Sequence, residues 1–315
     1  MPNTLVMLNS AAGRGRAGAL WPELDRALGA AGVDFDVART TSPAEAVAMA
    51  ANAGDRYTTV VAIGGDGTLH TVVNGLLRGS REGETLALGV VPLGSGDDFA
   101  KVLPPMAPVG GQAYDWRAAV QKIARGQARL FDAGRLVADG PRAAPGDGPL
   151  YFINSVDVGF GETVARKVAE VPKFLTGQLM YLAAIFKTLA DYNSPWISLQ
   201  MDDLPLIEGT STMTAIGNGR SFGGGFWFVP EALPDDGLFD VLALPALSRL
   251  GCLSFVPTMS KASHVKDLRA RFFKARRIVI DSPQPIGIAV DGDLPFTGAR
   301  HIEIDVLEKK LKILV

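Results

Sequence analysis

The sequence predicts a two-part molecule, an α/β N-terminal part wound around a parallel sheet and a mostly β C-terminal part. Strand-like apolar runs alternate with helix-like segments up to residue 131, and beyond it short β-like runs follow one another, interrupted by one long amphipathic segment at 161–192. The chain's 315 residues also exceed the usual size of one domain. The expected division is 1–131 and 132–315.

The N-terminal elements follow in order. TLVMLN (4–9) reads as a buried strand, AAGRGRAG (11–18) as a glycine-rich turn and LWPELDRALGAAG (20–32) as a helix closed by glycine. VDFDVART (33–40) is a strand, and Ser42, Pro43 and Glu45 give the sequence form of a capping box at the head of the next helix. TTVVAI (58–63) is a third strand that runs into Gly64, Gly65, Asp66 and Gly67. LHTVVNGLLRG (69–79) is then helical, and TLALGVVPLG (85–94) is a fourth strand with its loop. Such alternation places helices on both sheet faces and ligands at the carboxyl ends of the strands.

In the C-terminal part the strand candidates are YFINSVDVGF (151–160), WISLQMDD (196–203), STMTAIGN (211–218), GLFDVLALP (237–245), RIVIDS (277–282), IGIAVDG (286–292) and HIEIDVLEKKLKILV (301–315). PRAAPGDGP (141–149) has the composition of an exposed hairpin loop.

Composition narrows the function classes. The 47% hydrophobic and 20% charged content suits a globular protein, and a net charge of −2 gives no global attraction to nucleic acid. Cys252 is the single cysteine, which excludes an intramolecular disulfide or a cysteine metal cluster; it reads as a small buried apolar residue. His70, His264 and His301 lack zinc-site spacing. The start carries no basic-then-apolar signal pattern, and the most apolar stretch, FLTGQLMYLAAIFKTLA (174–190), is interrupted by Gln178 and Lys187. The expected location is cytoplasmic.

Two motifs carry chemistry. Strand, glycine turn, helix is a phosphate-binding arrangement, because glycines admit backbone N–H groups to the anion and the helix presents its positive end. Asp66 inside that turn is unexpected beside phosphates unless it handles a metal ion or a proton. A plain strand-to-helix turn with Asp66 as a solvated cap explains the same letters. VVPLGSGDDFAK (90–101) repeats the theme after the next strand, and the chain has no GxxxxGK[ST] sequence of a P-loop enzyme.

The ordered set LNSAAGRGRA, AIGGDGTLHTVVNGL, VVPLGSGDDFAK, NSVDVGFGETVARKV, AIGNGRSFGGGFWFVPEALPDDGLFDVLAL and IAVDGD resembles the bacterial soluble diacylglycerol kinases, whose catalytic domain is shared with sphingosine and ceramide kinases. The resemblance spans nearly the whole chain. It implies a Rossmann-like, NAD-kinase-like nucleotide domain, a β-sandwich C-terminal domain, and transfer of the ATP γ-phosphoryl group to a lipid hydroxyl in the cleft between them. By position it assigns Asn9, Gly13, Thr40, Gly64, Gly65, Asp66, Gly67, Thr68, Leu69, His70, Gly94, Ser95, Gly96 and Asp98 to the nucleotide site, Asp98 supporting phosphate and magnesium. A strand-end threonine is the plain alternative for Thr40.

Asp66 and Asp293 compete as the proton acceptor, and Asp132 is a third acidic candidate, with a strand-edge turn as its alternative. A structural Mg2+ is implied at the carbonyls of Leu233 and Leu238 with the Asp236 side chain; an ordinary hairpin turn accounts for the same residues. The chain departs from the family pattern at Asp97 (usually Asn), Asp293 (usually Glu), Ser95 (usually Thr) and Ser10 (usually Pro), and it stops at KLKILV where many relatives run on into a segment packed on the nucleotide domain.

The expected partner is a lipid at the inner membrane face, touched peripherally, with no nucleic acid and with a homodimer left open. FLTGQLMYLAAIFKTLADY (174–192) is core by default, with an acyl groove as the alternative. KASHVKDLRARFFKARR (261–277) carries seven Lys or Arg against one Asp, a stripe for anionic headgroups or a solvated strand pair. NAD kinase and a catalytically weakened binding protein on the same scaffold are the rival readings.

Overall fold

The structure, a computed structural model, describes residues 2–80, 83, 85–143, 148–168, 170–172 and 177–315, the side chains of 177 and 178 excepted. In the N-terminal part, β1 (Thr4–Leu8), α1 (Arg16–Ala30), β2 (Phe35–Arg39), α2 (Pro43–Ala51), β3 (Thr59–Gly64), α3 (Asp66–Gly79), β4 (Ala87–Pro92) and α4 (Trp116–Arg125) follow one another. The strands lie in the order β4-β3-β1-β2, all parallel. β1 is buried at every residue, and β3 and β4 at all but their first, because helices cover both faces. Two apolar clusters flank this sheet: one joins Val60, Ala62 and Val90 to Val72, Val73 and Leu76 of α3, the other joins Val61, Ile63 and Val91 to Leu24 and Leu28 of α1.

Sequence and structure differ at the first helix. α1 starts at Arg16, inside the stretch expected to be turn, and carries Pro22 in its interior. Gly18 admits this early start, since a β-carbon there would stand 3.0 Å from the Ser10 carbonyl. The capping box on α2 forms with one change of partner. Ser42 Oγ accepts the Glu45 N–H at 3.2 Å, and Glu45 reaches back to the Thr41 N–H at 2.8 Å rather than to that of Ser42.

The C-terminal part comprises β5 (Ala128–Ala138), β6 (Leu150–Phe152), β7 (Ser155–Gly159), α5 (Phe160–Val168), α6 (Gly177–Asp191), β8 (Trp196–Met201), β9 (Ile207–Gly217), β10 (Phe239–Pro245), α7 (Arg249–Ser260), β11 (Arg271–Ala275), β12 (Arg277–Ile286), β13 (Ile288–Val290) and β14 (Ala299–Leu314). One layer pairs β5, β14, β12 and β8; the other pairs β13, β7, β9, β10 and β11. β9 belongs to both, pairing β8 through 207–210 and β7 and β10 through 211–217, so it turns the corner of a sandwich whose core includes Phe152, Phe239, Ile278 and Ile302.

The segment 161–192 forms two helices, α5 and α6, rather than one; 169 and 173–176 between them lie outside the described residues, as do 144–147 of the expected hairpin loop. β11 was not resolved from the basic stripe by pattern. β5 runs unbroken through residues 131 and 132.

The end of β14 packs on the N-terminal part, Ile313 pairing Leu88 of β4 in parallel, so this segment itself does the docking expected of a longer tail. Asp132, on β5, is buried, and both of its carboxylate oxygens accept backbone N–H groups at 2.7 Å, from Gly237 and from Lys309. It fastens the 234–237 turn to a bulge in β14.

Asp132→Ala would leave the buried Gly237 N–H and the part-buried Lys309 N–H without their partner. We predict a loss of about 2–6 kcal/mol in chemical denaturation, from one to three per orphaned group, with nucleotide affinity unchanged in the folded fraction.

Candidate active site

Three loops at the carboxyl ends of β1, β3 and β4 converge because glycine lets their backbones touch. A β-carbon on Gly94 would lie 2.5 Å from the Gly65 Cα, one on Gly64 would lie 2.3 Å from Thr68 Oγ1, and one on Gly13 (φ +59°) would lie 2.2 Å from the Leu93 carbonyl. Asn9 ties the first loop to the second, its Nδ2 donating to Thr68 Oγ1 at 2.9 Å while its Oδ1 accepts the Ala11 N–H at 3.2 Å. The loops border a cleft of about 490 Å³ that brings together Asn9, Gly13, Thr40, Gly65, Thr68 and Asp293, with Gly67 and Gly94 also in its wall. Thr40 and Thr41 both stand in the cleft wall, and Thr41 spends its hydroxyl on Glu45.

Other expected members of the nucleotide site lie elsewhere. Leu69 is a core residue of the α3 cluster, and its side chain offers nothing polar. Ser95 is exposed on the β4 loop. Asp97 has φ +48°, a conformation Asn and Asp tolerate, and its Oδ1 accepts the Gly94 N–H at 2.8 Å, an acceptor role the usual asparagine would share.

Asp98 is buried. It accepts Lys101 Nζ at 2.5 Å, Ser221 Oγ at 3.2 Å and the Gly224 N–H at 3.1 Å. It therefore clamps the second glycine loop, Gly96 included, to the C-terminal part. Asp66 heads α3, with Oδ1 accepting the Phe99 N–H at 3.2 Å. Burial, then the charges of Asp98 and Asp97, push its carboxyl up to about 8.

His70 points away from the cleft toward the C-terminal part. Its Nδ1 lies 2.9 Å from Asp291 Oδ2 and its Nε2 4.0 Å from Asp293 Oδ2. Burial disfavours the charged ring, but the hydrogen bond and charge of Asp291, helped by Asp293, raise its pKa above the ordinary 6.5.

Sequence reasoning missed Asp291. Its carboxylate is buried and accepts the N–H groups of Ile153 (3.0 Å), Asn154 (2.9 Å) and Ser155 (2.9 Å) besides meeting His70. The signal was present: the first aspartate of Val-Asp-Gly-Asp sits at φ +48°, two residues before Asp293, in a turn closed by the Val290 and Asp293 backbones. Asp293 keeps a side chain 60% exposed at the cleft.

At the expected magnesium loop the side chain of Asp236 is engaged by protein groups. Asp236 Oδ1 accepts the Leu238 N–H at 3.1 Å, and Lys274 Nζ stands 2.9 Å from Asp236 Oδ2 and 3.2 Å from Asp240 Oδ2. An ammonium thus answers the Asp236 charge in the loop where the resemblance implies Mg2+ with the Leu233 and Leu238 carbonyls. Among the described residues no group of three or more His, Cys, Asp or Glu side chains is arranged to hold a metal.

A second cavity of about 110 Å³ lies under α5, α6 and α7, walled by Phe160, Val164, Ile185, Met213, Phe255 and Met259 and reaching Gly292. Gly292 and Asp293 thus stand where a polar cleft and an apolar cavity meet.

A parallel α/β part with a glycine-lined cleft, closed by a β-sandwich, defines a nucleotide-dependent phosphotransferase. Residues 3–136 match the diacylglycerol kinase catalytic domain and residues 154–315 the YegS C-terminal NAD kinase beta sandwich-like domain. A Xanthomonas campestris protein named "Probable lipid kinase YegS-like" is 32% identical over 287 residues, 90% of this chain and 87% of its own.

A Bacillus anthracis diacylglycerol kinase structure superposes with a TM-score of 0.70 at 18% identity over 99% of this chain and 96% of its own. An Archaeoglobus fulgidus NAD kinase gives 0.51 at 11% over 99% and 93%. The chain belongs to the YegS-like lipid kinase family. The α/β and β-sandwich architecture is as the sequence predicted.

Two outcomes follow from this geometry. Gly94→Ala should weaken ATP binding at least tenfold in an equilibrium assay, since its β-carbon meets Gly65 backbone. Because the folded pKa of His70 lies above 6.5, its link to Asp291 contributes fully below that pH and is lost as pH rises through the folded value. His70→Gln should accordingly cost about 1.5–3 kcal/mol at pH 6 and progressively less at higher pH, read by urea denaturation.

Proposed function

We propose that this kinase transfers the γ-phosphoryl group of Mg-ATP to the hydroxyl of diacylglycerol or a related membrane lipid. The observation that carries the reading is the junction at Gly292 and Asp293: one residue borders the apolar cavity and the next borders the glycine-lined cleft. A lipid lying in the first presents its hydroxyl to a phosphate held in the second. Phosphoryl transfer then asks the protein mainly for positioning and charge neutralisation, with a carboxylate to receive the hydroxyl proton.

Asp293 is our choice for that carboxylate. It opens to the cleft, and the buried Asp291 holds its turn in place. The loop N–H groups and the head of α3 face the phosphates, and magnesium arrives with the nucleotide as part of the substrate. Asp66 stays beneath the loop; its elevated pKa sets the charge of that floor.

Peripheral membrane contact at the cytoplasmic face accompanies this reading. No helix among the described residues is long and apolar enough to cross a membrane. Leu179 and Phe186, 62% and 61% exposed, share the outer face of α6, whose Tyr181 and Ile185 face the cavity; Leu250 and Leu268 are 79% and 99% exposed near α7. Within the basic stripe, Arg269, Lys274, Arg276 and Arg277 pair with carboxylates of the fold, so apolar insertion contributes more to docking than that stripe.

With purified protein, Mg-ATP and mixed micelles, Asp293→Asn should lower kcat by about two to four orders of magnitude, the usual scale of general-base catalysis, with little change in KM for ATP. Asp293→Glu should retain activity. An Asp293→Asn protein as active as wild type, with Asp66→Asn inactive, would move the base to Asp66. In vesicle sedimentation, Leu268→Glu combined with Phe186→Glu should reduce bound protein severalfold while micellar kcat holds.

A further inference from the structure

Among the described residues that line the apolar cavity, Asp157 has a fully buried polar side-chain atom without a hydrogen-bond partner. Asp157 lies on β7, opposite Ala289 of β13 in the strand register and hence three residues before Gly292. It is 6% exposed, it lines the cavity, and its Oδ1 is buried without a hydrogen-bond partner. The carboxyl also accepts the N–H groups of Gly161 and Glu162 at the start of α5, so it serves in part as a cap. Gly161 makes room for it: a β-carbon there would stand 2.2 Å from Oδ2. A helix cap alone needs one oxygen; the buried second oxygen is left for something that enters the cavity.

We propose that Asp157 recognises the acyl carbonyl of the lipid acceptor, which makes the preferred substrate an O- or N-acylated alcohol rather than an alkyl ether or a free long-chain base. This rests on the lipid-kinase reading and names the substrate class within it. Phe160, Val164, Met213, Leu244 and Ala289 surround the site with hydrocarbon, an environment that disfavours a bare charge. The neighbouring buried Glu162 pairs with Arg166 and is a like charge to Asp157.

Burial and the Glu162 charge push the Asp157 carboxyl up to about 8, so at neutral pH it carries its proton and donates a hydrogen bond. A carbonyl accepts such a bond, whereas an ether oxygen is a much poorer acceptor. The spacing agrees as well. In an acylated glycerol or amino alcohol the carbonyl stands a few bonds from the free hydroxyl, as Asp157 stands one short strand from the Gly292–Asp293 junction.

Three single-chain alcohols test this on the full chain: monooleoylglycerol (ester), N-oleoylethanolamine (amide) and oleyl glyceryl ether (no carbonyl). Their dissociation constants are measured by titration calorimetry in mixed micelles, without nucleotide. Wild type should bind the ester or the amide about fivefold to tenfold more tightly than the ether, the value of one net hydrogen bond. The order of ester and amide tells which acyl linkage is favoured.

Asp157→Leu should remove the preference while all three still bind, and Asp157→Asn, whose amide also donates, should keep most of it. Equal binding of acyl and ether lipids by wild type overturns the proposal without recourse to a variant, as does a preference that survives Asp157→Leu. If acyl and ether lipids bind equally yet lipid is phosphorylated, only this inference falls. If wild type binds none of the three and labels no lipid, the kinase reading falls with it.

Discussion

The buried carboxylate of Asp291 is the interaction on which the rest depends. Three backbone N–H groups from the β6–β7 junction and the His70 ring converge on two oxygens that are almost sealed from water. A charge in such a place is tolerated only when its hydrogen bonds are complete, and removing one partner is costly. That requirement joins α3, which heads from the phosphate-binding turn, to the turn that carries Asp293. Asp293 thereby comes to the wall of the cleft that the glycine loops form.

A second clamp, Asp98 with Lys101, Ser221 and Gly224, does the same for the other glycine loop. Together with the pairing of Ile313 and Leu88, these contacts make the cleft a product of both parts of the chain. Several carboxylates that look catalytic in the sequence are therefore structural. Asp132 and Asp98 hold backbone or partner side chains, Asp236 meets an ammonium, and only Asp293 stands open at the cleft. The two cavities, one polar and one apolar, are lined by consecutive residues, Asp293 and Gly292, the place where the proposed lipid hydroxyl would be delivered.

Much of this was legible in the sequence. Continuous apolar runs before glycine turns announced the parallel strands, and Ser42-Pro43-Glu45 announced a helix start, because each depends on neighbours along the chain. What escaped reading depends on distant partners. Asp132 and Asp98 resemble ligands in the sequence because nothing local reveals the Gly237 and Lys309 N–H groups or the Ser221 and Gly224 partners that occupy them. Lys274 sits 38 residues from Asp236, so its occupation of the expected magnesium loop is invisible to spacing. Asp291 was hidden by its own neighbour, since the open Asp293 drew the catalytic reading. Asp157 looked like an ordinary strand residue until the cavity beside it had walls.

The most direct measurement is to incubate the purified chain with Mg-ATP labelled in the γ-phosphate and a whole membrane lipid extract alongside NAD, then to identify labelled products by mass analysis. The account predicts label on the hydroxyl of an acylated lipid alcohol, abolished by Asp293→Asn. Label on NAD alone, or no labelled product from protein that binds ATP, would contradict it.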